Sequence, residues 1–124
     1  MKRILLPTDF SNNSWNAIKY ALQLFREQEC SFILLNTYTP IIFEMEYMYS
    51  SSMQMEIVDA MKETSKRELS EILKKIKSEF NNTKHTFSQI SSFNTLVLEI
   101  NELHNKNAID MIVMGTKGTS GVKR

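Results

Sequence analysis

The sequence has few of the residues on which several kinds of site depend. Its 124 residues include one cysteine, two prolines and three glycines. The single Cys30 excludes an internal disulfide, and no Cys/His spacing in the sequence resembles a zinc site. We interpret Cys30 as a small buried apolar residue near the start of a strand. His85 and His104 stand alone and are expected to be exposed or hydrogen-bonded rather than ligands.

Long apolar runs and an excess of one charge are also absent. The apolar residues 4–6 are followed at once by Pro7, which is too short for a signal-peptide core, and no stretch approaches transmembrane length. The net charge of +1 gives no reason to expect binding to nucleic acid or to an acidic membrane surface. We therefore expect a cytoplasmic protein of one domain, without a nucleic-acid or membrane partner.

Strand and helix patterns alternate along the chain. Four short apolar segments are predicted as strands, at residues 3–7, 31–36, 83–91 and 111–114. Three amphipathic patterns between them are predicted as helices: one after the cap-rich residues 8–14, one over 54–80, and one capped by Asn94 and followed by Asn107 as the C′ residue. The order β-α-β-α-β-α-β predicts an α/β fold with a parallel sheet.

The four strands differ in composition. Residues 111–114 are apolar throughout, which predicts a strand buried on both faces. The third strand is less apolar, and we expect it at an edge of the sheet. Residues 38–55 are unusually rich in Tyr, Met, Ile and Phe for a connection. They form either a loop packed on the sheet edge or a surface that contacts a partner.

The end of the chain carries a glycine-containing loop directly after the last predicted strand. Gly115 and Gly118 allow the backbone to approach a ligand closely, and unpaired N–H groups between them can bind an anion. Ligands of parallel α/β sheets bind where the carboxyl ends of strands deliver such loops. We expect this loop to face a second one that contains Pro7, Thr8 and Asp9.

Three stretches of the sequence resemble the universal stress protein family: residues 3–11, residues 34–37 and residues 110–118. They occur in the family's order and on the expected elements. The resemblance implies a Rossmann-like three-layer sandwich with strand order 3-2-1-4, to which the family adds a fifth strand. It also implies a homodimer or a tandem-domain arrangement, a role in the stress response and, in one branch, binding of an adenine nucleotide such as ATP or AMP.

The family's nucleotide-binding pattern is Gly-x2-Gly-x9-Gly-(Ser/Thr). Gly115 and Gly118 match its first half, whereas its second half, the last helix and the fifth strand would fall beyond Arg124. Lys117 stands where the family often has His or Arg. We therefore expect residues 1–124 to be one C-terminally incomplete domain, either a fragment, which we favour, or a shortened protein.

By resemblance, the backbone of Pro7 and Thr8, together with Thr37, would line the adenine base. Asp9 could accept a hydrogen bond from the base or the ribose, or it could simply cap the first helix. Met114 would pack against the base or sugar, or it would be an ordinary core residue.

The phosphates would meet the glycine loop. Beside Gly115, the residues Thr116, Lys117 and Gly118 offer N–H, hydroxyl and ammonium donors to phosphate oxygens. The alternative for this loop is a Thr/Ser-rich turn with no ligand.

An enzymatic function is not expected, because the sequence has no Ser/His/Asp arrangement, no paired carboxylates for one pocket and no P-loop. Two functions stay open. One is a regulatory module that binds an adenine nucleotide. The other is an interaction module of the same fold that binds no nucleotide and works through dimerisation and residues 38–55.

Overall fold

The computed structural model describes residues 1–39 and 50–115. Its elements in chain order are β1 (Lys2–Pro7), α1 (Asn12–Leu24), β2 (Cys30–Tyr38), α2 (Ser51–Glu79), β3 (His85–Phe93), α3 (Leu96–Asn105) and β4 (Met111–Ile112). The strands form one sheet in the order β3-β2-β1-β4, and all neighbours are parallel. The predicted α/β class and the order 3-2-1-4 are confirmed, and β3 lies at the end of that order, as its composition indicated.

The two faces of the sheet are covered by different helices. Ile4 and Leu6 of β1 lie in a core with residues of α1 and α2. Leu5, between them, lies in a second core with Leu103 of α3. Because neighbouring residues of β1 point to opposite faces and are all 0% exposed, both faces need a helical layer. The predicted three-layer sandwich follows from this burial, which contributes about 1.5–3 kcal/mol for each large side chain.

Several element ends differ from the prediction. β2 continues to Tyr38 because it pairs with β3 as far as Phe93. α2 begins at Ser51 because the Ser50 hydroxyl accepts a hydrogen bond from the Met53 N–H (3.2 Å). The end of α3 agrees with the prediction: Asn107 follows the C-cap residue with a φ of 57°, a left-handed conformation that Asn tolerates.

The prediction that Asn94 caps α3 is wrong. Thr95 is the N-cap, and its hydroxyl accepts from the Leu98 N–H (3.3 Å). The Asn94 amide instead donates to Glu99 Oε1 (3.0 Å), which also accepts from the Ser92 hydroxyl (2.7 Å). These hydrogen bonds, that of Ser92 first, lower the pKa of Glu99. They join the end of β3 to the first turns of α3.

The prediction that the fourth strand is buried on both faces is also wrong. β4 covers only Met111 and Ile112, which are 37% and 38% exposed. Within the described residues β4 pairs with β1 alone, so its other edge has no strand beside it. An apolar run cannot distinguish such a strand from a central one.

Residues 38–55 are described only at their ends. Tyr38 belongs to β2 and its ring contacts that of Phe93, with 5.9 Å between ring centroids. Residues 51–55 form the start of α2. The two interpretations of this segment depend on residues 40–49, which lie outside the described part of the chain.

The isolated cysteine and histidines agree with their interpretations. Cys30 is 0% exposed at the start of β2, and burial raises the pKa of its thiol. His85 is buried, and its Nε2 lies 2.9 Å from the carbonyl oxygen of Phe25. His104 is exposed on α3. In the described ranges, no helix is long and apolar enough to cross a membrane, and no three His, Cys, Asp or Glu side chains group as a metal site would require.

Candidate functional site

The loop after β1 is held by its own hydrogen bonds. The Thr8 N–H donates to the Leu35 carbonyl (2.8 Å) and so continues the pairing between β1 and β2. The Thr8 hydroxyl is hydrogen-bonded to the Ser14 hydroxyl (2.9 Å) and accepts from the Phe10 N–H (3.0 Å). Because Thr8 is only 6% exposed, its side chain builds the loop, and what it offers to a crevice is mainly backbone.

Asp9 follows Thr8 and is exposed. Its Oδ1 accepts from the Ser11 N–H (3.0 Å), which forms an Asx turn. Hydrogen bonding from the Ser11 side chain is the first cause that lowers the pKa of Asp9, and partial burial opposes it. The N-cap of α1 is Ser11, whose hydroxyl accepts from the Ser14 N–H (3.2 Å). The alternative that Asp9 caps α1 is therefore wrong. Asp9 instead presents an ionised carboxylate beside the helix start.

Phe10 has a φ of 68°, a left-handed conformation that is unusual for a large side chain. Such a conformation costs on the order of 1–3 kcal/mol and persists where its surroundings determine it. The Phe10 ring packs against the core below α1 and α2, which offsets this cost. The loop that carries Asp9 is thus fixed at both ends.

Arg3 and Asp110 bring β4 beside β1. The Asp110 carboxylate accepts from Arg3 Nη2 (3.0 Å), Nε (3.1 Å) and backbone N–H (2.8 Å). These hydrogen bonds, the side-chain ones first, lower the pKa of Asp110 from 3.8 to about 2. One pair after the strand, the Val113 N–H donates to the Leu5 carbonyl (3.0 Å).

Gly115 lies directly against α1. A Cβ at this position would lie 2.8 Å from the Asn13 carbonyl oxygen, closer than real Cβ atoms approach other atoms. The sequence predicted that this glycine permits close approach to a ligand. In the structure it permits close approach of the β4 loop to the first turn of α1, which closes one side of a crevice.

The crevice has a volume of about 150 Å³ and lies at the carboxyl ends of β1, β2 and β4. Its lining residues are Pro7, Thr8, Asp9, Ser11, Asn13, Ser14, Leu35, Asn36, Thr37, Leu96, Met114 and Gly115. Six predicted site residues are among them: Pro7, Thr8, Asp9, Thr37, Met114 and Gly115. Met114 is 45% exposed, so it is not a core residue. The other three, Thr116, Lys117 and Gly118, lie outside the described residues.

The crevice is lined by one carboxylate and by the N-terminal turn of a helix. Asp9 is the one ionisable residue among its described lining residues. The first turn of α1 contains no acidic residue, and its N-terminal backbone dipoles favour an anion. A ligand that carries both an anionic group and a hydrogen-bond donor would suit this arrangement, with the donor at Asp9.

Asn36 is the main site residue that the sequence analysis did not identify. It is only 8% exposed, and both polar atoms of its amide are hydrogen-bonded. Its Nδ2 donates to the Thr8 carbonyl (2.8 Å), and its Oδ1 accepts from the Ser65 hydroxyl (2.7 Å). The available signal was an amide side chain directly after the apolar run 32–35. The partners could not be foreseen, because Ser65 lies on α2.

The sequence as a whole matches a family model: residues 1–124 match the universal stress protein family. The chain belongs to the universal stress protein family. No curated protein sequence matches it in a sequence comparison.

Solved structures share the universal stress protein fold with this chain. The chain is similar to hypothetical protein MJ0577 (TM-score 0.74, 22% identity, 98% of this chain and 78% of that one). It is also similar to the universal stress protein UspA from Lactobacillus plantarum (TM-score 0.72, 14% identity, 98% and 83%). A third similar structure is a universal stress protein in complex with cAMP (TM-score 0.64, 19% identity, 98% and 80%). At these identities the likeness concerns the fold alone.

Proposed function

We propose that this universal stress protein binds an adenine nucleotide, ATP or AMP, in the crevice at the carboxyl ends of β1 and β4. The observation that carries the proposal is that six residues from three separate parts of the sequence line one crevice. The crevice also lies where the sheet order reverses: β1 is followed along the chain by β2 on one side, while β4 lies on its other side. Ligands of open α/β sheets bind at such switch points.

The chemistry of the lining residues suits the parts of a nucleotide. Pro7, Leu35, Leu96 and Met114 provide apolar surface for a base, and Asp9 provides an acceptor for an adenine amino group or a ribose hydroxyl. The phosphates would lie towards the loop after β4, away from this carboxylate. The cAMP complex of a structural neighbour supports the same class of ligand.

The described walls enclose only part of such a ligand. Pockets that bury a drug-sized molecule usually measure about 300–1,000 Å³, whereas this crevice measures about 150 Å³. We place Thr116, Lys117 and Gly118 at the phosphates on the family resemblance. We propose that the protein is a binding module rather than an enzyme, and that it acts in the cytoplasm in the stress response.

Titration calorimetry with ATP and AMP tests the proposal on wild type, Asp9→Asn and Asp59→Asn. Asn keeps an oxygen that can accept from the Ser11 N–H, so Asp9→Asn should change the melting temperature little. It removes the charge and should lower nucleotide affinity roughly tenfold, the effect of one charge-assisted hydrogen bond. Asp59 is exposed on α2 and serves as the matched control. If Asp9→Asn binds as tightly as wild type, the proposed role of Asp9 is refuted. If wild type binds neither ATP nor AMP, the proposed function is refuted.

A second candidate function is contact with a second copy of the chain. Three large apolar residues are exposed at the end of β3 and the first turn of α3: Phe93 (53%), Val97 (68%) and Leu98 (57%). Exposed apolar surface of this kind is typical of interfaces. Sedimentation of wild type and of the Val97→Ser/Leu98→Ser variant tests this second function. If the protein self-associates through this surface, the variant should be more monomeric than wild type.

A further inference from the structure

A hydrogen-bond chain, buried except at its outer end, extends from the loop after β1 across the sheet. It begins at the Thr8 carbonyl, passes through Asn36 of β2 and Ser65 of α2, and ends at Ser91 of β3. Ser65 is 3% exposed, and its Oγ accepts from the Ser91 hydroxyl at 2.7 Å. The chain thus connects the residue before Asp9 with two elements that do not otherwise line the crevice.

Every hydrogen bond in this chain has one allowed direction. A carbonyl oxygen only accepts, so the Asn36 nitrogen must face Thr8 and the Asn36 oxygen must face Ser65. The Ser65 hydrogen is then used towards Asn36, and Ser65 can only accept from Ser91. A side chain at position 36 must therefore donate towards β1 and accept from α2 at once, which Asn does and Leu or an ionised Asp does not.

The pairing of the sheet does not require this side chain. The backbone of Thr8 already donates to Leu35, and position 36 is paired with Ser91 along β2 and β3. The Asn36 amide acts one residue before Asp9, at the point where the chain leaves the sheet. A second crevice of about 460 Å³ lies between β2 and α2; it is lined by Ser65 and, like the first crevice, by Asp9 and Asn36.

We propose that Asn36 is a positioning residue for the nucleotide site, which fixes the Thr8 carbonyl, and with it the Asp9 loop, to Ser65 of α2. That this site binds a nucleotide rests on the function proposed above, whereas the effect of Asn36 on the loop does not. If Ser65 is displaced, either Asn36 moves with it or their hydrogen bond breaks. The position of α2 is thereby coupled to the position of the Asp9 carboxylate.

Asn36→Asp is the sharpest test, since the two side chains have the same shape. The introduced carboxylate can still accept from Ser65 but cannot donate to Thr8, and when protonated it regains an O–H donor. The ionisable groups that line the two crevices beside it are Asp9 of the loop, Glu68 of α2 and Tyr38 of β2 itself. The carboxylates of Asp9 and Glu68 disfavour a further negative charge, so the introduced group should protonate in mildly acidic solution.

The first readout uses the ligand-free protein. Amide chemical shifts and hydrogen exchange of Phe10 and Ser11 report the loop, because both N–H groups donate within it. For Asn36→Asp at neutral pH we expect shifted resonances and faster exchange at these two amides. On acidification they should return towards the wild-type values measured at the same pH.

Two further variants keep the test decisive if Asn36→Asp does not fold. Ser91→Ala removes only the outer donor and should shift the same loop amides in the same direction, by less. Ser88→Ala, at an exposed serine of the same strand, is its matched control. Loop amides that match wild type in folded Asn36→Asp, or that respond alike to Ser91→Ala and Ser88→Ala, would overturn the proposal.

The second readout is AMP affinity by calorimetry. We expect Asn36→Asp to bind AMP roughly tenfold more weakly than wild type at neutral pH, which corresponds to about 1.4 kcal/mol, and to recover on acidification relative to wild type. Equal affinity at neutral pH would overturn the positioning role. If wild type does not bind AMP, the proposed function fails, and the loop amides alone decide the role of Asn36.

Discussion

Replacing Gly115 with Ala should weaken folding and nucleotide binding together. The new Cβ would lie 2.8 Å from the Asn13 carbonyl oxygen and 3.3 Å from its carbon, whereas ordinary contacts begin at 3.4 Å. Both atoms belong to the backbone of the first turn of α1, so they cannot rotate away as the end of a side chain would. Either the loop after β4 or the start of α1 must shift, and both line the crevice.

The magnitude follows from two opposing effects. Forcing an extra methyl group into a well-packed position costs about 1–3 kcal/mol. Ala also restricts the unfolded chain more than Gly, which returns about 0.4–1 kcal/mol. We expect a net loss of roughly 1–2 kcal/mol in the free energy of unfolding, and a melting temperature lower by roughly 3–10 °C for a domain of this size.

Urea denaturation followed by circular dichroism measures the first effect, and calorimetry with AMP measures the second. Met114→Ala is the matched control, because it shortens the neighbouring, partly exposed side chain without adding an atom near α1. It should affect affinity more than stability. A Gly115→Ala protein with the denaturation midpoint of wild type would refute the close contact with Asn13 and the reasoning built on it.

Two further predictions concern ionisable groups. Folding lowers the pKa of Asp110 from 3.8 to about 2, so its contribution to stability is complete above pH 3.8 and is lost as the pH falls towards 2. Asp110→Asn should therefore be less stable than wild type at neutral pH and should approach it in acid, as measured by denaturation at several pH values with Asp59→Asn as control. Burial raises the pKa of Cys30, so iodoacetamide should modify it slowly at neutral pH in the native protein and rapidly in urea; rapid native labelling would contradict its burial.

The fold was predictable because its signals are local. The strand patterns at residues 3–7 and 31–36 and the helical periodicity between them need no knowledge of distant contacts. The order of these elements then limits the possible topologies to a few. Burial of Met111 and Ile112 was predicted wrongly for the opposite reason. The exposure of a strand depends on which elements lie beside it, and these cannot be inferred from the residues of the strand itself.

The candidate site was predictable in part. Asp9 and Ser11 are both good N-caps, so the sequence could not distinguish between them, and only the backbone geometry shows that Ser11 caps α1 while Asp9 forms an Asx turn. The Asn36 contacts were out of reach, because its partners Thr8 and Ser65 lie 28 and 29 residues away in the sequence. Polar residues that meet only after folding leave no spacing to recognise.

The far wall of the crevice depends on two contacts at the ends of β4 as well as on the sheet. Within the described residues β4 pairs with β1 at two positions, Ile4 with Met111 and Leu5 with Ile112, and the backbone N–H groups of Asp110 and Val113 add a hydrogen bond at each end. This pairing is short, so contacts beside it should contribute to the position of the loop that follows. The Asp110 carboxylate holds the chain before β4 to Arg3, and Gly115 lets the chain after β4 rest on α1. Changes at either end should therefore move the same wall, and the double variant Asp110→Asn/Gly115→Ala should lose less stability than the sum of the two single losses.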